Sequence, residues 1–223
     1  MNQEEIATMK KYNAVIFDLD GVLCSTDMYH YQAWKVLADS LGIPFDEEVN
    51  KRLRGVSRMA SLEIILEKST VSYTEEEKVR FATQKNDVYK DLLRNMTPAD
   101  VSEDVRYTLE KLHEGGVKLA VGSSSKNTPF ILERTDMRRY FDAVSDGNNI
   151  THSKPDPEVF LKAAEMVGEK PGDCMIVEDA EAGIEAGVNG GFTTASIGDA
   201  RDKGLGDYKL QKLSDLLPAV FGE

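Results

Sequence analysis

Two aspartates, Asp18 and Asp20, follow a short apolar run at residues 14–17. A continuous apolar run of this length that ends in a turn signal is typical of a strand buried on both faces of a parallel sheet. Alternate residues of an extended chain project to the same side, so the two carboxylates can converge where ligands bind in such folds. Together they could hold a cation or share acid and base chemistry. The alternative is a solvated turn, because Asp and the following Gly21 are common turn residues.

A hydroxyl-rich loop follows a second apolar run, at residues 117–122. Exposed backbone amides and the positive end of the helix predicted to follow favour an anion at this position. The loop is therefore a candidate phosphate site. Plain helix capping is the alternative, because Ser, Thr and Asn are preferred N-cap residues. The polar members of the loop are Ser123, Ser124, Ser125, Lys126 and Asn127.

Two further polar segments are candidates for the same functional site. Lys154 precedes Pro155 and could be an ordinary surface lysine. Another apolar run, at residues 174–177, ends in Glu178 and Asp179, and Asp179 could merely cap the helix that follows. The coincidence of several acids, a hydroxyl and a lysine at successive strand ends favours a functional site at one rim of a sheet. Hard oxygen ligands of this kind suit Mg²⁺ with waters and a substrate phosphate.

The composition limits partners and location. The chain has 223 residues, of which 41% are hydrophobic and 30% charged, as in an ordinary soluble protein. No apolar run reaches membrane-spanning length and residues 1–11 lack the apolar region of a signal peptide, which predicts no membrane partner and a cytoplasmic location. The formal net charge of −12 argues against a nucleic-acid partner and requires local cations to attract an anionic substrate.

Hydrophobic periodicity divides the chain into two parts. Between residues 30 and 95 every periodic segment is helical, and the predicted helices lie near residues 31–41, 47–54, 57–68 and 74–95. After Pro98 helix and strand patterns alternate, with strand candidates at residues 117–122, 141–145, 174–177 and 192–197. Because parallel strands need such crossovers, we predict an α/β parallel-sheet core. It is made of residues 1–27 and 96–223, with a helical unit of residues 28–95 inserted after the first strand.

Two polar residues lie on the apolar faces of the inserted helices. His30 stands four residues before Trp34, on the face that the first helix buries, and Lys85 lies between Phe81 and Val88. A polar group on a buried face needs a partner, which makes both residues functional candidates. The alternatives are an exposed first-turn position for His30 and, for Lys85, a side chain that extends along the helix to water. Burial alone accounts for Trp34.

Taken in order, the polar segments resemble the four motifs of the haloacid dehalogenase superfamily of phosphohydrolases and phosphomutases. These segments are residues 18–21, Ser123, Lys154 with Pro155, and Glu178 with Asp179. The similarity extends to the sugar phosphomutases of that superfamily on residues 29–30, 33–35, 55–58, 85–87, 97–101, 125–127 and 132–134. It implies a Rossmann-like core with an all-helical cap domain. One departure is Ser25, which stands in the implied hinge where the close family usually has an acid.

The resemblance also implies roles for individual residues. Asp18 takes the position of the nucleophile and Asp20 that of the general acid and base. Ser123 and Lys154 hold the transferring phosphoryl group. The implied Mg²⁺ ligands are Asp18, the Asp20 carbonyl, Glu178 and Asp179, and His30 is implied as a further catalytic group. The implied substrate-binding residues are Thr26, Trp34, Arg58, Lys85, Asn86, Ser124, Ser125, Lys126 and Asn127.

The activity that the resemblance implies is interconversion of β-glucose 1-phosphate and glucose 6-phosphate. It would pass through an aspartyl phosphate on Asp18 and a glucose 1,6-bisphosphate intermediate. A sugar-phosphate phosphatase is the alternative, since it would share every core residue and differ in whether water reaches the aspartyl phosphate. A non-enzymatic phosphate sensor is a third hypothesis, against which the intact motif acids argue. We expect a small sugar phosphate as the partner and a monomeric protein, because no long apolar surface stripe is left unassigned.

Overall fold

The structure, a computed structural model, describes residues 10–53 and 56–222. The chain divides into two compact units. The sheet unit takes in the chain up to Ser25 together with everything from Thr97 onward, and the inserted unit is Thr26–Met96. The breaks predicted from periodicity fall after residues 27 and 95, next to these positions.

The sheet unit is built on a six-stranded sheet in which all neighbouring strands are parallel. Its strands are β1 (Ala14–Phe17), β2 (Lys118–Gly122), β3 (Ala143–Ser145), β4 (Cys174–Glu178), β5 (Thr193–Ser196) and β6 (Tyr208–Lys209). They follow the order β3-β2-β1-β4-β5-β6. The first strand is therefore central, which explains why all of its residues are apolar and buried. The predicted parallel α/β fold is confirmed.

The sixth strand is the element that periodicity missed. It has two residues and lies at the edge of the sheet, where Tyr208 and Lys209 pair with Ala195 and Ser196 of β5. A pattern that alternates with period two cannot be recognised over so short a segment. The missed strand does not contribute to the candidate site, which lies on the other strands.

The inserted unit contains only helices in its described part. They are α1 (Asp27–Ser40), α2 (Glu47–Lys51), α3 (Arg58–Leu66) and α4 (Glu75–Leu93). The side chains of Asp46, Ser57 and Thr74 each accept a hydrogen bond from a first-turn amide of the helix that follows, which fixes where α2, α3 and α4 begin. The predicted all-helical insert is thus confirmed. The end predicted for its second helix, residue 54, lies outside the described residues.

Helices connect the strands of the sheet unit and cover the sheet. They are α5 (Glu103–Glu114), α6 (Thr128–Arg134), α7 (Glu158–Val167), α8 (Glu181–Asn189), α9 (Gly198–Asp202) and α10 (Leu216–Phe221). Short 3₁₀ turns occupy Pro98–Asp100, Arg138–Tyr140, Pro171–Asp173 and Leu213–Asp215. Phe160 of α7 packs in one apolar cluster with Ile16 of β1 and Ile176 of β4. Because each crossover returns the chain to the same end of the sheet, the carboxyl ends of all strands meet at one edge.

Candidate active site

Three polar residues lie side by side at the carboxyl edge of the sheet. Phe17 of β1 is in register with Val121 of β2 and with Val177 of β4. Asp18 and Glu178 therefore stand next to each other, with Ser123 one residue beyond the end of β2 on the opposite side. All three are buried, with exposures of 8% for Asp18, 4% for Ser123 and 1% for Glu178. Polar residues so deeply buried require partners, which the neighbouring segments supply.

Lys154 joins two of the three strand ends. Its Nζ donates to Asp18 Oδ1 and to Glu178 Oε1, each at 2.5 Å. The side chain is only 7% exposed, so the alternative of an ordinary surface lysine is wrong. Burial by itself would lower the pKa of Lys154, but the carboxylates of Asp18 and Glu178 outweigh it and raise the pKa above its ordinary value. Lys154 is therefore a fixed positive charge between two acids.

Asp18, Glu178 and Asp179 form a cluster of oxygen donors. Each offers one carboxylate oxygen, and these oxygens lie within 4.8 Å of one another. Burial, with the nearby charges of Glu178, Asp18 and Asp20, raises the pKa of Asp179 to about 8. Burial also raises the pKa of Glu178, although Lys154 opposes that rise. Acids crowded together in this way fit a small hard cation, which would relieve their repulsion, so the donor set matches Mg²⁺.

Two glycines make room for these carboxylates. Gly21 has a φ of +84°, and a Cβ there would lie 2.1 Å from Asp179 Oδ2. A Cβ on Gly183 would lie 1.9 Å from Glu178 Oε1. The turn that contains Gly21 is closed by its own amide, which donates to the Cys24 carbonyl at 2.8 Å. The carboxylates can occupy these positions because both neighbours lack a side chain.

Capping does not explain the acid pair. The N-cap residue of α8 is Ala180, and no side chain caps that helix. Instead Glu178 Oε2 accepts from the amides of Asp179 and Ala180, at 2.8 and 2.9 Å. These bonds orient the Glu178 carboxylate while its Oε1 accepts from Lys154. The alternative in which Asp179 merely caps the helix is wrong, and its carboxylate belongs to the cluster.

The serine-rich loop after β2 is held by its own hydroxyls. The Ser125 amide donates to Ser123 Oγ and the Asn127 amide donates to Ser125 Oγ, both at 3.2 Å. A hydroxyl that accepts from an amide keeps its proton for another acceptor, so Ser123 can still donate to a phosphoryl oxygen. Asn127 is the N-cap residue of α6 but its side chain makes no capping bond. Lys126 is exposed.

A turn after β3, residues 146–149, supports the serine-rich loop, a contact that no sequence pattern predicted. The Ser123 amide donates to the Ser145 carbonyl at 3.1 Å, and Asn148 Nδ2 donates to the Lys126 carbonyl at 3.0 Å. Gly147 comes so close that a Cβ there would lie 2.4 Å from the backbone oxygen of Ser124. The Asp-Gly pair directly after a strand candidate was the available signal of a turn, but nothing in the sequence indicated what the turn contacts.

The inserted unit holds a second polar pair. Lys85 is 2% exposed and its Nζ lies 2.8 Å from His30 Nδ1. The same Nζ lies 4.6 Å from the ring centroids of both Trp34 and Tyr89, an arrangement that favours a cation. The alternative in which Lys85 extends along the helix to water is therefore wrong. Trp34 is 2% exposed in the apolar cluster of this unit, as burial predicted.

His30 is neutral in this pair. Burial, with the positive charges of Lys85 and Arg58, lowers its pKa well below the ordinary value. Because a lysine ammonium can only donate, Nδ1 of His30 accepts and the ring proton is on Nε2. The ring also lies against Tyr89, with centroids 4.1 Å apart. His30 is half-buried and its ring accepts a hydrogen bond from Lys85. The alternative of an exposed first-turn histidine is therefore wrong.

The remaining substrate-binding candidates are spread over the inserted unit. Thr26 is 1% exposed and its Oγ1 accepts from the Tyr89 hydroxyl at 3.1 Å. Asn86 is 9% exposed on α4, next to Lys85. Arg58 is the first residue of α3 and is partly buried, which lowers its pKa although Tyr89 and Asp87 oppose the shift. The structure thus places these residues, whereas their contact with substrate stays a prediction.

The carboxyl edge of this parallel sheet carries an aspartate, a lysine, a serine and an acid pair, which defines an α/β enzyme with a candidate cation site. The family model described as haloacid dehalogenase-like hydrolase matches residues 12–191. The chain belongs to that family. Among the described residues, no helix combines the length and the apolarity needed to cross a membrane.

Relatives within the family include both mutases and phosphatases. The chain is 40% identical over 212 residues to the β-phosphoglucomutase of Bacillus subtilis (strain 168), and the match covers 94% of each protein. It is 32% identical over 182 residues to a phosphorylated carbohydrates phosphatase of Thermotoga maritima, covering 80% of this chain and 82% of that protein. The crystal structure of a β-phosphoglucomutase from Clostridium difficile superposes with a TM-score of 0.85 at 35% identity, covering 92% of this chain and 93% of the other.

Proposed function

We propose that this protein is a Mg²⁺-dependent phosphomutase that interconverts β-glucose 1-phosphate and glucose 6-phosphate. The observation that carries the chemistry is the Asp18 carboxylate, buried at a strand end with Lys154 2.5 Å from its Oδ1. The mutase reaction is supported by the 40% identity to a β-phosphoglucomutase over 94% of this chain, inserted unit included. A small sugar phosphate is the only partner that the proposal needs, and cytoplasmic location and a monomeric state stay predictions.

Asp18 acts as the nucleophile. One of its oxygens attacks a phosphorus of glucose 1,6-bisphosphate, the bond from that phosphorus to the sugar oxygen breaks, and an aspartyl phosphate and a glucose monophosphate result. The hydrogen bond from Lys154 fixes the orientation of the carboxylate before attack. Fixing a nucleophile at its reacting geometry removes much of the entropic part of the barrier.

The charge of the transferring group is balanced by fixed donors. Lys154 supplies a positive charge, and the Ser123 hydroxyl donates a hydrogen bond to a phosphoryl oxygen. When bound, Mg²⁺ would be held by Asp18, the Asp20 carbonyl, Glu178 and Asp179 and would neutralise charge on the transferring oxygens. Donors that are in place before reaction cost no reorganisation during it, which is the main electrostatic advantage of such a site.

Asp20 moves the proton. It protonates the sugar oxygen that leaves and later removes the proton from the sugar hydroxyl that attacks the aspartyl phosphate. The bisphosphate formed on the enzyme must then turn around so that the other phosphate can be returned to Asp18. The reversed bisphosphate needs a second phosphate-binding site for its other phosphate. We assign that site to Arg58 with Ser125 and Asn127. We propose that His30 and Lys85 link sugar binding to Asp20, and that Thr26, Trp34, Asn86, Ser124 and Lys126 complete the substrate site.

A sugar-phosphate phosphatase is the second candidate. The 32% identity to a phosphorylated carbohydrates phosphatase over 80% of this chain favours it. The same Asp18, Asp20, Ser123 and Lys154 would form and stabilise an aspartyl phosphate in both enzymes. The two activities differ only in the acceptor, which is a sugar hydroxyl in the mutase and water in the phosphatase.

One paired assay tests the proposal. The protein is given β-glucose 1-phosphate, Mg²⁺ and a trace of glucose 1,6-bisphosphate, and glucose 6-phosphate and free phosphate are followed in the same tube. Glucose 6-phosphate in large excess over free phosphate supports the mutase, whereas free phosphate without the isomer supports the phosphatase. Asp18→Asn should abolish both products. The control is Asp91→Asn, because Asp91 is exposed and lies in a surface pair with Arg94.

A further inference from the structure

The aromatic ring of Phe160 lies against the ammonium group of Lys154. Lys154 Nζ is over this ring, 4.6 Å from its centroid, which is within the distance at which an aromatic face attracts a cation. Phe160 is fully buried, and the attraction is stronger where water does not compete for the charge. Burial explains an apolar ring at this position, but it does not explain the cation over the ring.

The fold fixes where the Phe160 ring stands. Phe160 lies in the first turn of α7, and its amide donates to the Pro157 carbonyl at 3.0 Å. One edge of the ring reaches the end of β2, since a Cβ on Gly122 would lie 2.6 Å from Phe160 Cδ1. The ring of Phe192 meets it at an interplanar angle of 70°, with the centroids 6.3 Å apart. These contacts hold the ring in place before any ligand binds.

The other partners of Lys154 are less constant during the proposed reaction. Its Nζ donates to Asp18 Oδ1 and to Glu178 Oε1, each at 2.5 Å. Asp18 loses its carboxylate charge when one of its oxygens forms the bond to phosphorus. Glu178 is a candidate metal ligand, so it shares its charge with the cation that it binds. The ring takes part in neither event, and its attraction for the ammonium therefore stays the same throughout.

We propose that Phe160 is a positioning residue that holds Lys154 in place while Asp18 carries the phosphoryl group. The inference rests on the proposed function, in which Lys154 balances the charge of the transferring group. An aromatic face is suited to this task because it attracts the ammonium but cannot take a proton from it. Phe160 acts through Lys154 and not on the substrate.

Fluorinated phenylalanines incorporated at position 160 test the proposal. One, two or three fluorine atoms withdraw electron density from the ring and weaken its attraction for a cation, while the size of the side chain changes little. We expect kcat in the paired assay to fall with each added fluorine, by about tenfold in total. KM should change less than kcat, because Lys154 depends most on the ring once Asp18 carries the phosphoryl group. The melting temperature should stay close to that of the parent protein.

Phe192 provides the matched control. It is buried in the same apolar cluster as Phe160, and no lysine or arginine among the described residues lies over its ring. The same fluorinated residues at position 192 should leave kcat unchanged. An equal fall of kcat at both positions would mean that fluorine disturbs the packing of the cluster, and the proposal would be wrong.

NMR of the parent protein without substrate measures the contact itself. The ε-methylene signal of Lys154 is identified as the lysine signal that is absent from Lys154→Arg. We expect the ring current of Phe160 to shift this signal upfield of the other lysine signals. A Lys154 signal at the ordinary position would show that the ammonium does not stay over the ring, and it would overturn the proposal.

Failure of this inference and failure of the proposed function are distinguishable. If the parent protein isomerises β-glucose 1-phosphate but kcat does not respond to fluorine at position 160, only the role of Phe160 is wrong. If the parent protein forms neither glucose 6-phosphate nor free phosphate, the proposed function fails and the inference fails with it.

Discussion

Gly183 lies directly against the carboxylate of Glu178, so that a Cβ on Gly183 would be 1.9 Å from Glu178 Oε1. Glu178 cannot move aside easily, because it is 1% exposed and its two oxygens accept from Lys154 and from two amides. A residue in the first turn of α8 thus determines where a candidate metal ligand stands. The close packing of α8 against Glu178 therefore fixes the position of a carboxylate in the candidate site.

We predict that Gly183→Ala lowers activity at least about tenfold, because the added methyl group displaces the Glu178 carboxylate. Stability should also fall, since overpacking costs about 1–3 kcal/mol and alanine gains back only about 1 kcal/mol over glycine within a helix. Turnover and the melting temperature measure these two effects. Mg²⁺ affinity should fall together with turnover, because the displaced carboxylate is a candidate metal ligand. The control is Gly172→Ala, because nothing lies within 4 Å of a Cβ at Gly172. Normal Mg²⁺ affinity in Gly183→Ala would contradict the prediction.

Lys154→Met should lose both activity and stability. The substitution leaves the carboxylates of Asp18 and Glu178 buried without the cation they share. Removing one member of a buried ion pair typically costs about 3–5 kcal/mol, and losing a donor to the transferring phosphoryl group costs about 10²–10³-fold in kcat. Urea unfolding without Mg²⁺ and steady-state kinetics measure these effects.

Lys162→Met is the control for that experiment. Lys162 also pairs with a glutamate, Glu158, at 2.7 Å, but its side chain is 38% exposed. Surface pairs of this kind contribute about 0–1 kcal/mol, so we expect both stability and kcat close to those of the parent. Equal losses in the two variants would mean that Lys154 has no special role.

The sequence predicted the elements that carry the site better than the contacts within it. The apolar runs before Asp18 and Glu178 are strong signals, because strands in the middle of a parallel sheet are buried on both faces and need apolar residues throughout. Residue type and spacing alone could not distinguish Lys154 from a surface lysine. The family resemblance implied its role, but only the fold shows that it reaches two acids. The support of the serine-rich loop by Gly147 depends on a close approach of two backbones, which leaves no pattern along the chain.

Asp179 gives the site a pH dependence that can be measured without substrate. Its pKa is raised from 3.8 to about 8 by burial and by Glu178, Asp18 and Asp20. The folded protein therefore keeps a proton that the unfolded chain has lost, so the free energy of unfolding of the metal-free protein decreases as pH rises from 3.8 toward 8. A cation must displace this proton, and we expect Mg²⁺ to raise the melting temperature more at pH 8 than at about pH 6.

Asp179→Asn should remove this behaviour. The amide has nearly the same shape but carries no proton that titrates, so the melting temperature of the metal-free variant should vary less with pH in this range. Its stabilisation by Mg²⁺ should be weak at both pH values. Thermal unfolding of the parent and the variant, each with a chelator and with Mg²⁺, gives both quantities. Equal Mg²⁺ stabilisation of the parent at the two pH values would show that Asp179 is not a ligand.

His30 makes the free energy of unfolding depend on pH in the opposite direction to Asp179. Its pKa in the folded protein is well below 6.5, because of burial and of the charges on Lys85 and Arg58. As pH falls below 6.5 the unfolded chain binds a proton before the folded protein does, so the free energy of unfolding decreases. We predict that His30→Gln flattens this decrease, because glutamine does not titrate but its side-chain oxygen can accept from Lys85.

The protonation state itself is checked by NMR. The ring signal of His30 should not move between about pH 7.5 and about pH 6, since a neutral ring with a depressed pKa takes up no proton there. His113 and His152 are exposed and provide reference signals in the same spectrum. Lys85→Met removes the ammonium that contributes to the shift, and in that variant the His30 signal should begin to move at a higher pH. A His30 signal that titrates near pH 6.5 in the parent protein would mean that the ring is charged near neutral pH and does not accept from Lys85.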